Sequence, residues 1–390
     1  MSAEAAALAR MVTRAGRTLP KLADPGAPLL DVSDLRVRFS LAKGGLTAVD
    51  GVSFRLDDGE ALGIAGESGC GKTTTALSLL QLLPSNGRIE SGRVELYGID
   101  LAKKSEAAMT RYRWREISIV FQGAMNALNP VRRVRDQIAE PIIVRLGVSE
   151  ESAGRRALEL LDLVGIPMQR GGAYPHELSG GMRQRAMIAM ALACNPAIVI
   201  GDEPTTALDV MVQAQILALL ESLRWELGLS LILITHDLSV IAETCDKVMI
   251  MYAGRVAEEG PVSRVFTAPR HPYTQALLRA FPNIRADRRT LDVIPGNLPD
   301  LRDPPPGCRF APRCPFAMDV CRVVTPPEVT MSDGVRVACH LYPNHDAAIV
   351  EPAPIAQVGA DAPVDDVVPP ADNSNLRDVD DDTPPDEIQP

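Results

Sequence analysis

The stretch Gly66-Glu67-Ser68-Gly69-Cys70-Gly71-Lys72-Thr73 fits the pattern G-x-x-x-x-G-K-[ST]. Glycines at these positions let the backbone wrap close to an anion, with successive amide N–H groups turned toward phosphate oxygens. A helix that follows adds the positive end of its dipole. The chemistry is that of holding a nucleotide's phosphates: Lys72 reaches the β- and γ-phosphates, the Thr73 hydroxyl ligates Mg²⁺, and Thr74 follows in the same turn. The flanking sequence agrees, since residues 61–65 read as a buried strand and 73–83 as a helix stopped at Pro84.

Five more landmarks follow in chain order. Gln122 stands after an apolar stretch ending at Phe121. Leu178-Ser179-Gly180-Gly181-Met182-Arg183-Gln184-Arg185 precedes a helix. Asp202-Glu203 ends a strand, Ala207-Leu208-Asp209 comes next, and His236 ends the following strand. Each alone is weak, because Ser-Gly-Gly is most often a turn and a lone histidine at a strand end is usually structural.

The elements that must carry these residues are legible in outline. Alternating stretches at 35–39, 48–49 and 52–56, separated by Gly44-Gly45 and Asp57-Asp58-Gly59, predict an antiparallel sheet. Stretches 92–97 and 117–121 are also strand-like. Residues 131–193 carry apolar side chains at three- and four-residue spacing and predict helices. An apolar strand at 197–200, a helix over 210–227 and a strand over 231–234 form an α/β pattern, whose ligands bind off the carboxyl ends of the strands. A hairpin pairing 247–252 with 255–259 closes this part near Gly260-Pro261. A short amphipathic helix then follows His271-Pro272-Tyr273 and runs to Phe281.

With 390 residues, 46% hydrophobic and 23% charged, the chain has the composition of an ordinary globular protein of two or three domains. Its apolar runs are too short to span a bilayer, and its first residues lack the pattern of a secretory signal, so a cytoplasmic location is expected. The net charge of −10 belongs to a tail: from Asp346 onward there are 12 Asp and Glu against one Arg. The remainder is near neutral and carries no basic stripe for nucleic acid. The tail, rich in Pro, Asp, Ala and Val without aromatic residues, is expected to be disordered.

Taken in order, the landmarks resemble the nucleotide-binding subunit of an ATP-binding-cassette (ABC) transporter, over roughly residues 30–260. The resemblance implies an α/β fold, a P-loop NTPase cassette with a RecA-like core, an antiparallel β subdomain and a helical signature subdomain, followed by a small Cys-containing extension. It implies a flexible lead over 1–28, the nucleotide-binding domain over 29–262, a C-terminal domain over 263–345 and the acidic tail over 346–390. It also implies roles. Gly66, Ser68, Gly69, Cys70, Gly71, Lys72, Thr73 and Thr74 would hold ATP. Asp202, with Thr73 and Gln122, would hold Mg²⁺, a hard cation that takes oxygen ligands. Glu203 would act as general base on the attacking water, with His236 and Gln122 completing the catalytic set. Ser179, Gly180 and Gly181 would meet ATP bound on an opposite subunit, and Asp209 would shape the contact between the two. Phe39 lies where an aromatic ring stacks on adenine, although a core position in its strand fits it nearly as well.

The loop, the signature stretch through Leu192, Asp202 to Asp209 and the extension beginning at His271 look like the oligopeptide/dipeptide importer class, which also serves nickel and other small solutes. Gly201, where the class more often has Ala, is a small departure. The class implies a peripheral position on the cytoplasmic face of the membrane. Its implied partners are a second ATPase subunit (a related chain, giving a heterodimer), two transmembrane permeases and, indirectly, a substrate-binding protein. A soluble ABC ATPase acting on nucleic acid is a remote alternative, disfavoured by the single cassette and the missing basic patch. Cys308, Cys314 and Cys321 are spaced C-x5-C-x6-C, with seventeen residues between Cys321 and Cys339. Members of the class with such a quartet carry a [4Fe–4S] cluster, which is the expectation, and Pro315 after Cys314 suits it. Zinc, with His340 as a substitute ligand, and unligated structural thiols remain as alternatives. Cys70, Cys194 and Cys245 are simplest as small core or loop residues.

Overall fold

The computed structural model describes residues 27–42, 44–123, 127–206, 208–280 and 294–344. Most of the expected N-terminal lead, the acidic tail and Ala207 lie outside them. In chain order the first elements are β1 (Leu30–Ser40), β2 (Gly45–Leu56), β3 (Ala61–Ala65), α1 (Lys72–Leu79), β4 (Gly87–Leu96), β5 (Ile99–Asp100), α2 (Glu106–Met109) and β6 (Ile117–Val120). Three longer helices follow: α3 (Val134–Leu146), α4 (Glu150–Leu163) and α5 (Gly180–Ala191). Then come β7 (Ile198–Asp202), α6 (Val210–Leu227), β8 (Ser230–Ile234), α7 (Leu238–Thr244), β9 (Lys247–Tyr252) and β10 (Arg255–Pro261). The chain continues through α8 (Val262–Val265), α9 (Pro272–Ala280), α10 (Asp319–Val323), β11 (Glu328–Thr330) and β12 (Arg336–Ala338).

Two hydrophobic patterns build two sheets. β1 alternates, burying Leu30, Val32, Leu35 and Val37 while the residues between them stay more open, as one-sided packing requires. It pairs antiparallel with β2 and β4, and the sheet order is β2-β1-β4-β5. β3, β7 and β8 are buried at every position, the signature of parallel strands covered on both faces. The larger sheet has order β11-β12-β10-β9-β3-β8-β7-β6, parallel from β9 to β6.

Alternate residues of these strands feed two separate cores. Leu62, Ile64, Ile198, Ile200, Ile232 and Ile234 join the core shared with the small sheet and α1. Val199, Leu231, Leu233, Val248 and Ile250 face the other way and pack against α3 to α7. A fully buried leucine or isoleucine contributes about 1.5–3 kcal/mol, so this double-sided burial rigidifies the strand ends from which the polar residues project.

The helix after the glycine loop is shorter than the sequence predicts. It ends at Leu79, and Gln81 takes a left-handed backbone (φ 49°) before Pro84 is reached. Arg113 accounts for this early stop: its guanidinium donates to the carbonyls of Leu80 (2.8 Å) and Gln81 (3.1 Å), satisfying groups a longer helix would have used. A second feature has no sequence signal. β12 pairs with β10 through Glu258 opposite Val337 and Glu259 opposite Arg336, so the C-terminal extension contributes two strands to the larger sheet.

Candidate functional site

β3 delivers the chain into the glycine loop at the carboxyl end of the sheet. Gly66 has φ 150°, and a Cβ there would lie 2.2 Å from the Met251 carbonyl oxygen. Gly71 has φ 106° and opens α1, where a Cβ would meet the Ala48 oxygen at 2.5 Å. Only glycine satisfies both demands. α1 begins without a side-chain cap, so its first amides have no side-chain acceptor and are available to an anion. Lys72 is buried, and its Nζ donates to the carbonyls of Gly66 (2.7 Å) and Glu67 (3.1 Å). Ser68 and Gly69 are exposed at the rim, Thr74 is half-buried, and Cys70 is wholly buried with its thiol pKa raised by burial.

Asp202 and Glu203 stand at the end of β7, which is separated from β3 by β8 in the sheet. The Thr73 hydroxyl donates to Asp202 Oδ1 at 3.1 Å, joining the loop to this strand end. Burial raises the Asp202 pKa; the Thr73 bond opposes this and the Glu203 charge adds to it. Glu203 adopts a left-handed backbone (φ 49°), an unusual state for a non-glycine residue, and its N–H donates to the Ile234 carbonyl at 2.8 Å. Its carboxylate is aimed by neighbours. Gln122 Nε2 donates to Oε2 at 2.8 Å, the Thr206 hydroxyl donates to the same oxygen at 2.9 Å, and His236 Nδ1 lies 3.5 Å from Oε1. Thr206 is a partner the sequence reading missed; a hydroxyl three residues beyond the carboxylate was its only signal. The fold thus gathers Lys72, Thr73, Gln122, Asp202, Glu203 and His236 from segments far apart in sequence.

The signature turn lies elsewhere. The Ser179 hydroxyl accepts from Met182 N (3.3 Å) and caps α5, and Asp209 Oδ1 accepts from Val212 N (3.0 Å) and caps α6. Gly181 brings the two helix starts together, since a Cβ on it would lie 2.8 Å from Val212 Cγ1. Among the described residues no hydrogen bond or ion pair joins Ser179, Gly180, Gly181 or Asp209 to the glycine loop or to Glu203. Phe39 is half-buried in β1, packed on the small-sheet core with its ring against Gly87.

A phosphate loop backed by two strand-end carboxylates, with a separate Ser-Gly-Gly helix start, is shared with known proteins. The family model for ABC transporters matches residues 49–206, and that for the oligopeptide/dipeptide transporter C-terminal region matches 257–321. A peptide import ATP-binding protein of Brucella abortus is 48% identical over 320 residues, spanning 78% of this chain and 95% of the relative. The dipeptide transport ATP-binding protein DppD of Escherichia coli is 46% identical, spanning 82% and 98%. The chain belongs to the ABC transporter ATP-binding proteins. Among solved structures, the dimeric ATP-binding cassette MJ0796 bound to ADP and Pi superposes with a TM-score of 0.54 at 28% identity, covering 60% of this chain and 98% of that one. As an ABC transporter ATP-binding protein the chain is an ATPase coupled to transport. Among its described residues no helix is long and apolar enough to cross a membrane.

The four extension cysteines of this ABC protein require a correction. Cys308, Cys314, Cys321 and Cys339 do line one cavity, but its volume is about 10 Å³ and its other walls include Phe310, Phe316 and Leu341. That is room for about one water, far less than an iron–sulfur cube. Among the described residues no group of three or more His, Cys, Asp or Glu is placed to hold a metal ion. Burial raises the thiol pKa of Cys308, of Cys314 to about 11 and of Cys339 to about 12. His340, the substitute ligand, instead bonds through Nε2 with the Val324 carbonyl at 2.9 Å. The iron–sulfur expectation is therefore overturned, as is zinc. The thiols pack as small apolar side chains.

Proposed function

We propose that this ABC ATPase binds Mg·ATP at Gly66–Thr73 and hydrolyses it with Glu203 as general base, to power peptide import. The observation that carries the reading is the Glu203 carboxylate: held by Gln122 and Thr206, faced by His236, and one residue from an aspartate bonded to the loop threonine. A carboxylate fixed this way accepts a proton from water without first reorganising. His236, on the other carboxylate oxygen, is positioned to hold the water's second face. The donor set fits Mg²⁺, since the Thr73 hydroxyl, the Asp202 carboxylate and the Gln122 amide are hard oxygen ligands. When bound, the cation supplies charge neutralisation at the phosphates, and it also offsets the burial that raises the Asp202 pKa. Lys72 exchanges its present carbonyl partners for phosphate oxygens.

The separate, outward-facing Ser179–Gly181 turn supports a site completed by a second cassette, each chain's turn closing on the other's nucleotide, and the similar cassette MJ0796 is a dimer. A peptide cargo rests on the match of 257–321 to the oligopeptide/dipeptide transporter region and on relatives named for dipeptide and oligopeptide transport. The partners are then a related second ATPase subunit and two permeases at the cytoplasmic face of the membrane. Glu203→Gln keeps the hydrogen bonds of the side chain but not its basicity, and is expected to lower turnover by about 10³-fold while ATP still binds. Ordinary hydrolysis by that variant in the assembled transporter rejects the assignment. Loss of labelled di- and oligopeptide uptake on deleting the gene checks the cargo.

A further inference from the structure

One residue of the phosphate loop is held from outside the cassette. Glu67 carries a negative charge in a loop that must receive a polyanion, and its side chain is only 27% exposed. Arg313 of the C-terminal extension, 5% exposed, donates Nη1 to both Glu67 carboxylate oxygens at 3.0 Å. The guanidinium is itself fixed: Nε donates to Pro295 O (2.8 Å), Nη2 to Ile294 O (3.3 Å), and Nη1 also to the Tyr252 hydroxyl (3.2 Å). A second extension residue, Tyr273, accepts the Glu67 backbone N–H on its hydroxyl at 2.9 Å. Tyr273 is wholly buried and packs against Tyr252 (ring centroids 4.6 Å apart) and Phe310 (5.4 Å). The Glu67 carbonyl, in turn, is one of the two that hold Lys72. A continuous set of contacts therefore runs from the extension through Glu67 to the loop lysine.

We propose that Arg313 and Tyr273 are positioning residues of the nucleotide site, through which the extension sets the phosphate loop and cancels the Glu67 charge that would repel ATP. The inference rests on the ATPase reading above. The structural reason is electrostatic as well as mechanical. A half-buried carboxylate beside bound phosphates is poorly screened, so removing its guanidinium leaves a repulsion that weakens nucleotide binding. Neither residue touches the reacting atoms, so the burden falls on affinity and not on the chemical step.

The test is equilibrium binding of a ribose-labelled fluorescent ATP analogue, displaced by ATP, to the full-length chain and its variants. Arg313→Ala is expected to weaken ATP affinity about tenfold, and the double variant Glu67→Gln/Arg313→Ala to return within about twofold of the original chain. In the assembled transporter, Arg313→Ala raises KM for ATP and leaves kcat within about twofold. Rescue by removing the acid is what a merely structural arginine would not show. Affinity unchanged in Arg313→Ala, or no recovery in the double variant, overturns the inference. Should Arg313→Ala fail to fold, Arg313→Lys and Tyr273→Phe probe the same link by smaller changes: each is expected to weaken ATP affinity about two- to fivefold, and original affinity in both overturns it. Absence of ATP binding by the unmodified chain overturns the ATPase reading itself, whereas binding that these changes leave untouched overturns only the role of the extension.

Discussion

Two glycine-bearing turns open helices in this cassette, and they are built in opposite ways. The phosphate loop is enclosed by its own chain. Gly66 and Gly71 occupy backbone states and close approaches that exclude any side chain, Lys72 is folded onto loop carbonyls, and Thr73 is tied to Asp202. The signature turn is an ordinary capped helix start: Ser179 supplies the cap, Gly181 is not in the left-handed region, and Ser179 is exposed. One turn is organised before any ligand arrives. Among the described residues, the other makes no hydrogen bond or ion pair with the phosphate loop or with Glu203. The contrast accords with the function proposed above, in which one chain holds the nucleotide and a second cassette completes the site for hydrolysis.

The largest expected effect follows from the enclosed turn. Gly66→Ala places a methyl group 2.2 Å from the Met251 backbone oxygen, and backbone cannot move aside as a flexible side chain can. The loop must deform, costing on the order of 2–4 kcal/mol of stability, and ATP affinity falls more than about 100-fold. Thermal melts and the fluorescent-nucleotide titration measure both quantities. Near-original affinity would mean that the loop is not held by this approach.

A smaller and differently distributed effect is expected at the open turn. In Gly181→Ala the new methyl meets only Val212 Cγ1, a side-chain atom that can rotate away, in an unstrained backbone. Stability changes by less than about 1 kcal/mol and the isolated chain binds ATP as before, while turnover of the assembled transporter drops about tenfold or more. If ATP affinity of the isolated chain fell instead, the two turns would not be divided as the structure divides them.

Both turns were legible in the sequence because each is a contiguous run in which residue type reports backbone demand. The strand-end carboxylates were legible too, since continuous apolar strands followed by Asp202-Glu203 and His236 mark the carboxyl edge of a parallel sheet. What escaped was whatever depends on distant segments meeting. Arg313 and Glu67 are 246 positions apart, and an arginine in a Pro-rich stretch announces no partner. β12 is three residues long and enters the sheet by pairing with β10, which no periodicity over three residues can signal. The cysteine spacing was misleading for the same reason. It counts thiols along the chain, and a metal centre depends on the space between them, which here is about 10 Å³. Thr206 escaped because a single hydroxyl near an acid is too common to read.

The smallest effect concerns the support behind the enclosed turn, at the junction where β10 meets the start of α9 and hence Tyr273. Glu258 is fully buried and accepts from the backbone N–H groups of Arg270 (2.8 Å) and His271 (2.9 Å); burial raises its pKa to about 7. His271 is also buried, which lowers its pKa to about 4, and its Nδ1 accepts the Tyr273 N–H at 3.0 Å, as a neutral ring can. Arg270 is paired with Asp333 at 2.8 Å. The two groups have opposite linkage. The Glu258 pKa lies above its unfolded value of 4.5, so its contribution is complete below pH 4.5 and is lost as pH rises through 7. The His271 pKa lies below its unfolded value of 6.5, so its contribution is complete above pH 6.5 and is lost as pH falls through 4. Between pH 4.5 and 6.5 the slopes oppose each other and nearly cancel in the original chain. Single variants expose each in turn. His271→Asn retains an acceptor for the Tyr273 N–H but does not titrate, so stability should fall from pH 5 to 7 by on the order of 2–3 kcal/mol, or several degrees in Tm. Glu258→Gln leaves His271 alone, and stability should rise over pH 4 to 6.5 by a similar amount. Melts at fixed ionic strength decide the matter. Parallel profiles in the two variants would show that the junction does not titrate, and that the support behind Glu67 is insensitive to protons.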